Sequence, residues 1–133
     1  MILYTHENIY KIFTREGVKK YIMNGNNIYI SGPITGVENW QDNFVAAEKE
    51  LLELPGAFFV INPLTVSITL EKEFEQAQKG EPSYTDYMRR DISRLVECNA
   101  ICMLPGWKHS KGARLEYRIA KILNMQILEF KPE

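Results

Sequence analysis

Short runs of β-forming residues alternate with stretches of helical spacing from residue 27 to residue 130, and no other feature restricts the chain as much. I-Y-I-S (28–31), A-F-F-V-I (57–61), A-I-C-M-L (100–104) and M-Q-I-L-E-F (125–130) read as strands. Between them, residues 40–54 predict a helix with Phe44, Ala47, Leu51 and Leu54 on one face. Ser83 is placed to cap a second helix, running to about residue 97, whose apolar line is Tyr84, Tyr87, Met88, Ile92 and Leu95. Ser110 starts a third, ending near residue 124, with Gly112, Ala113, Ile119, Ala120 and Leu123 on its inward line. Residues 64–82 read as irregular, with at most a short polar helix in L-E-K-E-F-E-Q-A-Q.

The central strands carry no polar face, so both sides of their sheet must be covered. That predicts a parallel sheet with helices on each side. The fold class expected is α/β, a flavodoxin-like three-layer α/β/α domain with four to five parallel strands in the order 2-1-3-4. At 133 residues the chain suits one such domain. Residues 23–133 form it, and residues 1–22 read as an amino-terminal appendage, helical or irregular, that packs on the domain or on a second subunit.

A net charge of −1 gives no electrostatic reason for a nucleic acid polymer or a membrane as partner. No apolar run approaches the roughly 20 residues that span a bilayer. The opening M-I-L-Y-T-H-E-N has no basic region followed by a long apolar stretch, so a cytoplasmic location is expected. Cys98 and Cys102 read as reduced structural thiols. With only His6 and His109 beside them, no metal site is expected, and no cofactor.

In a doubly wound sheet, ligands bind beyond the carboxyl ends of the strands, where strand order reverses. Here the reversal falls between the first and third strands of the parallel set. The loops there are S-G-P-I-T-G (31–36) and L-P-G-W-K-H-S-K-G (104–112). Plain strand-to-helix turns would also use Gly and Pro. Against that reading stands the position of two acids. Glu116 lies on the inward line of the third helix, and Asp91 lies on that of the second, by its spacing from Tyr87, Met88 and Leu95. Carboxylates are rarely buried without a partner or a task. The competing explanation is ion pairing with Arg89, Arg90, Arg94 or Arg114. Two acids at one sheet edge, beside the switch point, favour a shared cleft.

The motifs I-Y-I-S-G-P-I-T-G, I-N-P, Y-M-R-R-D-I-S-R-L-V-E-C-N-A-I-C-M-L-P-G-W and S-K-G-A-R-L-E-Y-R-I-A, in that order, resemble the nucleoside 2-deoxyribosyltransferase-like superfamily. The resemblance spans about residues 27–130 and is nearest to a short phage- and bacteria-associated branch related to the deoxynucleoside 5′-monophosphate N-glycosidases. It implies that Glu116, in the pattern S-x-G-x-x-x-E with Ser110 and Gly112, is a nucleophile. It implies that Asp91, before Leu95, assists. From the first-strand motif it implies that Tyr29, Gly32, Ile34 and Gly36 shape the sugar site. Asn62 in I-N-P is carried over as a substrate-side position, as is Asn99, which stands where many relatives have Asp. Ser110 would donate to a sugar hydroxyl or a 5′ group. Trp107 or Trp40 would stack on the base, if neither is simply core packing, and His109 is a lone loop histidine.

The chain departs from the N-glycosidases in the first loop. Those enzymes hold a 5′-phosphate with an Arg and a Ser, where this chain has Thr35 and Pro33. The function expected is cleavage or transfer of an N-glycosidic bond in a (deoxy)nucleoside or nucleotide through a glycosyl-enzyme intermediate. The alternative is a non-catalytic module that binds a nucleotide or a nucleotide-derived signal. The partner is then a small-molecule nucleoside or nucleotide, and the resemblance implies a homo-oligomer in which a neighbour completes the pocket.

Overall fold

A single sheet collects all the β-forming runs. The computed structural model describes residues 2–5, 12–13, 26–54 and 57–131. In chain order the elements are β1 (Ile2–Thr5), β2 (Ile12–Phe13), β3 (Asn26–Ser31), α1 (Trp40–Leu52), β4 (Ala57–Ile61) and α2 (Pro63–Gln76). There follow α3 (Tyr84–Leu95), β5 (Ala100–Met103), a 3-10 turn (Trp107–His109), α4 (Lys111–Ile122) and β6 (Gln126–Lys131). The sheet order is β2-β1-β6-β5-β3-β4. β3, β4, β5 and β6 run parallel to one another. Counted along the chain, these four strands stand in the order 2-1-3-4, the flavodoxin-like topology expected from the alternation.

The expected appendage differs from what its described parts show. Ile2–Thr5 pairs antiparallel with β6, and Ile12–Phe13 pairs antiparallel with β1. These pieces are strands, not helix or irregular chain. The physical reason is the edge of β6: its unpaired backbone groups are a template for another strand, and I-L-Y-T supplies one. The other residues of 1–22 lie outside the described residues.

Burial on both sheet faces follows from the alternation within β3. Ile28 and Ile30 join Ala100, Cys102 and Leu128 under Phe44, Ala47 and Leu51 of α1. Tyr29 joins Ile101, Met103 and Ile127 on the opposite face, under Leu95 of α3 and Ala113 and Ala120 of α4. Each fully buried Ile or Leu in these layers contributes roughly 1.5–3 kcal/mol of transfer free energy. The two thiols sit in the two layers as free, buried cysteines. Burial pushes Cys98 up to about 11, and the Cys102 thiol is raised further by burial and the Glu129 charge. Neither is a reactive thiolate.

The helix ends are set by local chemistry. Ser83 and Asp86 form a reciprocal capping box on α3, and Ser110 Oγ accepts from Ala113 N at 3.2 Å to cap α4. α2 is longer than the short polar helix allowed within the irregular stretch expected over 64–82; residues 77–82 remain without helix or strand. Asn62 Oδ1 accepts from Leu64 N at 3.0 Å, and Pro63 occupies the first helical position, where its missing N–H costs nothing. The helix buries only Pro63 and Leu70. Its docking on α3 is polar: Tyr87 Oη donates to Glu71 Oε2 at 2.6 Å, and Arg90 pairs with Glu73 at 2.7 Å. Among the described residues, no helix is long and apolar enough to cross a membrane.

Candidate functional site

The carboxyl ends of β3 and β5 lie side by side, and backbone contacts hold their loops together. Leu104 N donates to Ser31 O at 2.8 Å. A Cβ on Gly32 would stand 2.7 Å from Leu104 Cβ, closer than carbon atoms approach. Only glycine lets the two loops meet there. Gly106, at φ +85, then turns the chain into the 3-10 turn that leads to α4.

α4 crosses α3 closely at Gly112. A Cβ at that position would lie 3.4 Å from Met88 Sδ and 3.4 Å from Tyr84 Oη, both on α3. One turn further along α4, Glu116 is 5% exposed, and on α3 Asp91 is 7% exposed. Both acids line a cleft of about 830 Å³ above the switch point. Tyr29, Gly32 and Ile34 form its wall from β3 and the following loop, Tyr84 and Met88 its wall from α3, and His109, Ser110 and Gly112 its wall from the start of α4. The volume lies within the range of small-molecule sites, roughly 300–1,000 Å³.

Glu116 is held on both oxygens. Tyr29 Oη donates to Oε2 at 2.6 Å and Ser31 Oγ donates to Oε1 at 2.6 Å. Burial raises its carboxyl to about 7, against the downward pull of the Ser31 and Tyr29 hydrogen bonds. Asp91 has no such support. Its Oδ1 is buried without a hydrogen-bond partner. Burial first, and the Glu116 charge second, raise its carboxyl to about 7. The Tyr29 phenol is lifted well above its usual 10 by burial and by the charges of Glu116 and Asp91, so it remains a neutral donor.

The arginines are engaged elsewhere or face solvent. Arg90 pairs with Glu73, Arg94 lies 3.5 Å from Glu97, and Arg89 and Arg114 are exposed. Among the described residues, no ion pair reaches Asp91 or Glu116. What remains is a buried pair of carboxyls whose environments differ. Such pairs divide acid and base roles between two residues of one chemical type. Among the described residues, no group of three or more His, Cys, Asp or Glu side chains is arranged to hold a metal ion.

Of the residues expected at the site, the structure brings together Glu116, Asp91, Tyr29, Gly32, Ile34, Ser110 and Gly112. Gly36, Asn62, Asn99 and Trp107 lie outside the cleft's described lining, each for a reason of its own. Gly36 serves the turn after the first loop, at φ +77 with open space around it. Asn62 caps α2, and its Nδ2 donates to Phe44 O at 3.4 Å. Asn99 precedes β5, at the opposite end of the sheet, where Oδ1 accepts from Asn27 N at 2.8 Å. Trp107 is buried, stacked on Tyr117 at 4.5 Å, with Nε1 donating to Glu129 Oε1 at 2.8 Å. Trp40 packs edge-on against Phe44 at 5.5 Å.

Ser31 is the site residue that motif reading passed over. It follows Tyr29 by two, so the period of a strand puts both hydroxyls on the face that meets α4. No curated protein and no solved structure matches the chain. A family model described as a domain of unknown function, DUF4406, matches residues 26–129, from β3 into β6 with the whole described cleft between them, and the chain belongs to that family.

Proposed function

We propose that this chain cleaves or transfers the N-glycosidic bond of a (deoxy)nucleoside or nucleotide. The observation that carries the reading is Glu116: a buried carboxyl lining a cleft of small-molecule size, gripped on both oxygens, with Asp91, whose Oδ1 has no hydrogen-bond partner, lining the same cleft. The resemblance of the surrounding motifs to the nucleoside 2-deoxyribosyltransferase-like superfamily supports it.

Glu116 attacks the anomeric carbon through one carboxylate oxygen. The bond from that carbon to the base nitrogen breaks, and its electron pair leaves with the base. The Asp91 carboxyl gives its proton to the departing base. A glycosyl ester on Glu116 results, which divides one difficult displacement into two easier ones. Water or a second base then attacks the same carbon, Asp91 takes up the proton released, and Glu116 is regenerated. Two inversions return the original anomer. Tyr29 fixes the nucleophile's orientation, and Ser110, at the amino end of α4, donates to a sugar hydroxyl or 5′ group. We further place the protein in the cytoplasm and assign it a homo-oligomeric assembly that completes the pocket.

One feature favours a second reading. The first loop brings Pro33, Ile34 and Thr35 to the cleft and no cation, so it lacks the clamp that the N-glycosidases place on a 5′-phosphate, and a module that has diverged to bind without chemistry fits that loss. Incubation with deoxynucleosides, ribonucleosides and their 5′-monophosphates, read as free base by chromatography, separates the two. Release that falls to background in Glu116→Ala supports the enzyme. Binding without release from any substrate, undiminished in Glu116→Ala, supports the module. Release that persists unchanged in the variant removes Glu116 as nucleophile.

A further inference from the structure

We propose that Ser31 is a positioning residue whose hydroxyl, together with that of Tyr29, keeps Glu116 ionised while Asp91 carries the proton. The inference deepens the proposed function and rests on it only for its kinetic consequence.

Two neighbouring carboxyls in a buried site resist being ionised together, so one of them carries a proton near neutral pH. The surroundings decide which. Glu116 accepts one O–H on each oxygen, both at 2.6 Å. Charge-assisted bonds of this kind favour the carboxylate. A proton on either oxygen would turn one of those hydroxyls around. The hydroxyl hydrogen would then need another acceptor, and Ser31, 1% exposed, has no ready access to water for one. Asp91 offers the opposite surroundings. Its buried Oδ1 receives no donor, which penalises a carboxylate more than a neutral acid.

The other titratable groups facing the pair do not overturn this order. Tyr29, from β3, is a neutral donor to Glu116. Tyr84 comes from α3, and its hydroxyl stands beside Gly112, a full turn before Glu116. His109 and Lys111, at the start of α4, are exposed on the lip of the cleft, where water and salt screen them. The asymmetry therefore lies in the two hydroxyls of β3. Of these, Ser31 stands between Tyr29 and Gly32, at a position that the first-strand motif leaves unspecified. In the proposed reaction this division matters at once: the ionised Glu116 is ready to attack, and the acid that must protonate the base is already loaded.

The test is to follow the Glu116 side-chain carboxyl by carbon NMR through a pH titration, in protein labelled at glutamate Cδ, with the signal assigned by its loss in Glu116→Gln. In Ser31→Ala the Glu116 titration should move up by about one to two pH units. Ser31→Thr, which keeps the hydroxyl, should return it towards the wild-type position. Ser31→Cys, of nearly the same size with a weak donor, serves as a second variant should the alanine protein not fold, and it should move the same way. The acid limb of kcat/KM for base release should follow the titration. A merely structural serine would lower Tm and leave the carboxyl titration in place, which overturns the proposal. Loss of base release in Glu116→Ala with neither signal nor acid limb moved by Ser31→Ala overturns it too, while sparing the proposed function. The expected NMR shift in a protein that releases no base supports the assignment of Ser31 and defeats the proposed function.

Discussion

Replacing Asp91 by Asn should make the protein more stable, and only at higher pH. The carboxyl is 7% exposed, its Oδ1 lacks a partner, and burial together with the Glu116 charge raises it from 3.8 to about 7. Between those two values the folded protein holds a proton that the unfolded chain has released. Stability from this group is therefore fully present below pH 3.8 and is lost as pH rises through about 7. The gap is 7 − 3.8 = 3.2 pH units. At about 1.4 kcal/mol per unit, it corresponds to an upper limit of about 4 kcal/mol lost by pH 8. Asparagine cannot ionise, and its amide can donate towards Glu116. Asp91→Asn should thus exceed wild type by about 2–4 kcal/mol at pH 8 and match it within about 1 kcal/mol at pH 4. Urea unfolding at pH 4, 6 and 8 measures this, provided the slope is common to both proteins. Only the difference between the proteins counts, because acids away from the Asp91–Glu116 pair titrate equally in both. A variant that is less stable at every pH, or whose difference from wild type does not change with pH, would refute the reasoning.

Two glycine substitutions test the close approaches that build the cleft. Gly32→Ala puts a methyl 2.7 Å from Leu104 Cβ, and should cost about 1–3 kcal/mol and lower Tm, as overpacking between backbone-anchored atoms does. Gly112→Ala meets only ordinary contact, 3.4 Å from Met88 Sδ and Tyr84 Oη, within a helix. It should raise stability by about 0.5–1 kcal/mol in urea while narrowing the cleft and raising KM for base release.

The fold was legible because the alternation carried it. Ile28 and Ile30 face one helical layer and Tyr29 the other, so a short strand with no polar face could only be covered on both sides. α2 was not legible from periodicity, since it buries only Pro63 and Leu70 and is held to α3 through Glu71, Glu73, Tyr87 and Arg90. Its start was nonetheless written in Asn62-Pro63, a cap followed by a residue suited to the first turn. The strands at Ile2–Thr5 and Ile12–Phe13 depend on pairing with β6 and with each other, which a local reading does not reveal.

At the site, Asp91 and Glu116 stood out because acids on an apolar helical line are conspicuous. Ser31 did not, because a serine ending a strand looks like a turn residue until its partner on α4 is known. Gly36, Asn62, Asn99 and Trp107 were also singled out, and they lie outside the cleft's described lining. Each is a residue type that binding sites use, but backbone or core groups already occupy Asn62, Asn99 and Trp107, and Gly36 only turns the chain.

The central claim is that Glu116 forms a bond to the sugar carbon, and a trapped adduct tests it most directly. An electron-withdrawing fluorine at the sugar 2′ position slows breakdown of a glycosyl ester, so a 2′-fluoro nucleoside that the protein accepts should leave its sugar attached. Intact mass should then rise by one fluorosugar, and peptide mapping should find that mass on Glu116 and nowhere in Glu116→Gln. Stoichiometric release of base with the mass on another residue, or with the same adduct in Glu116→Gln, would contradict the account.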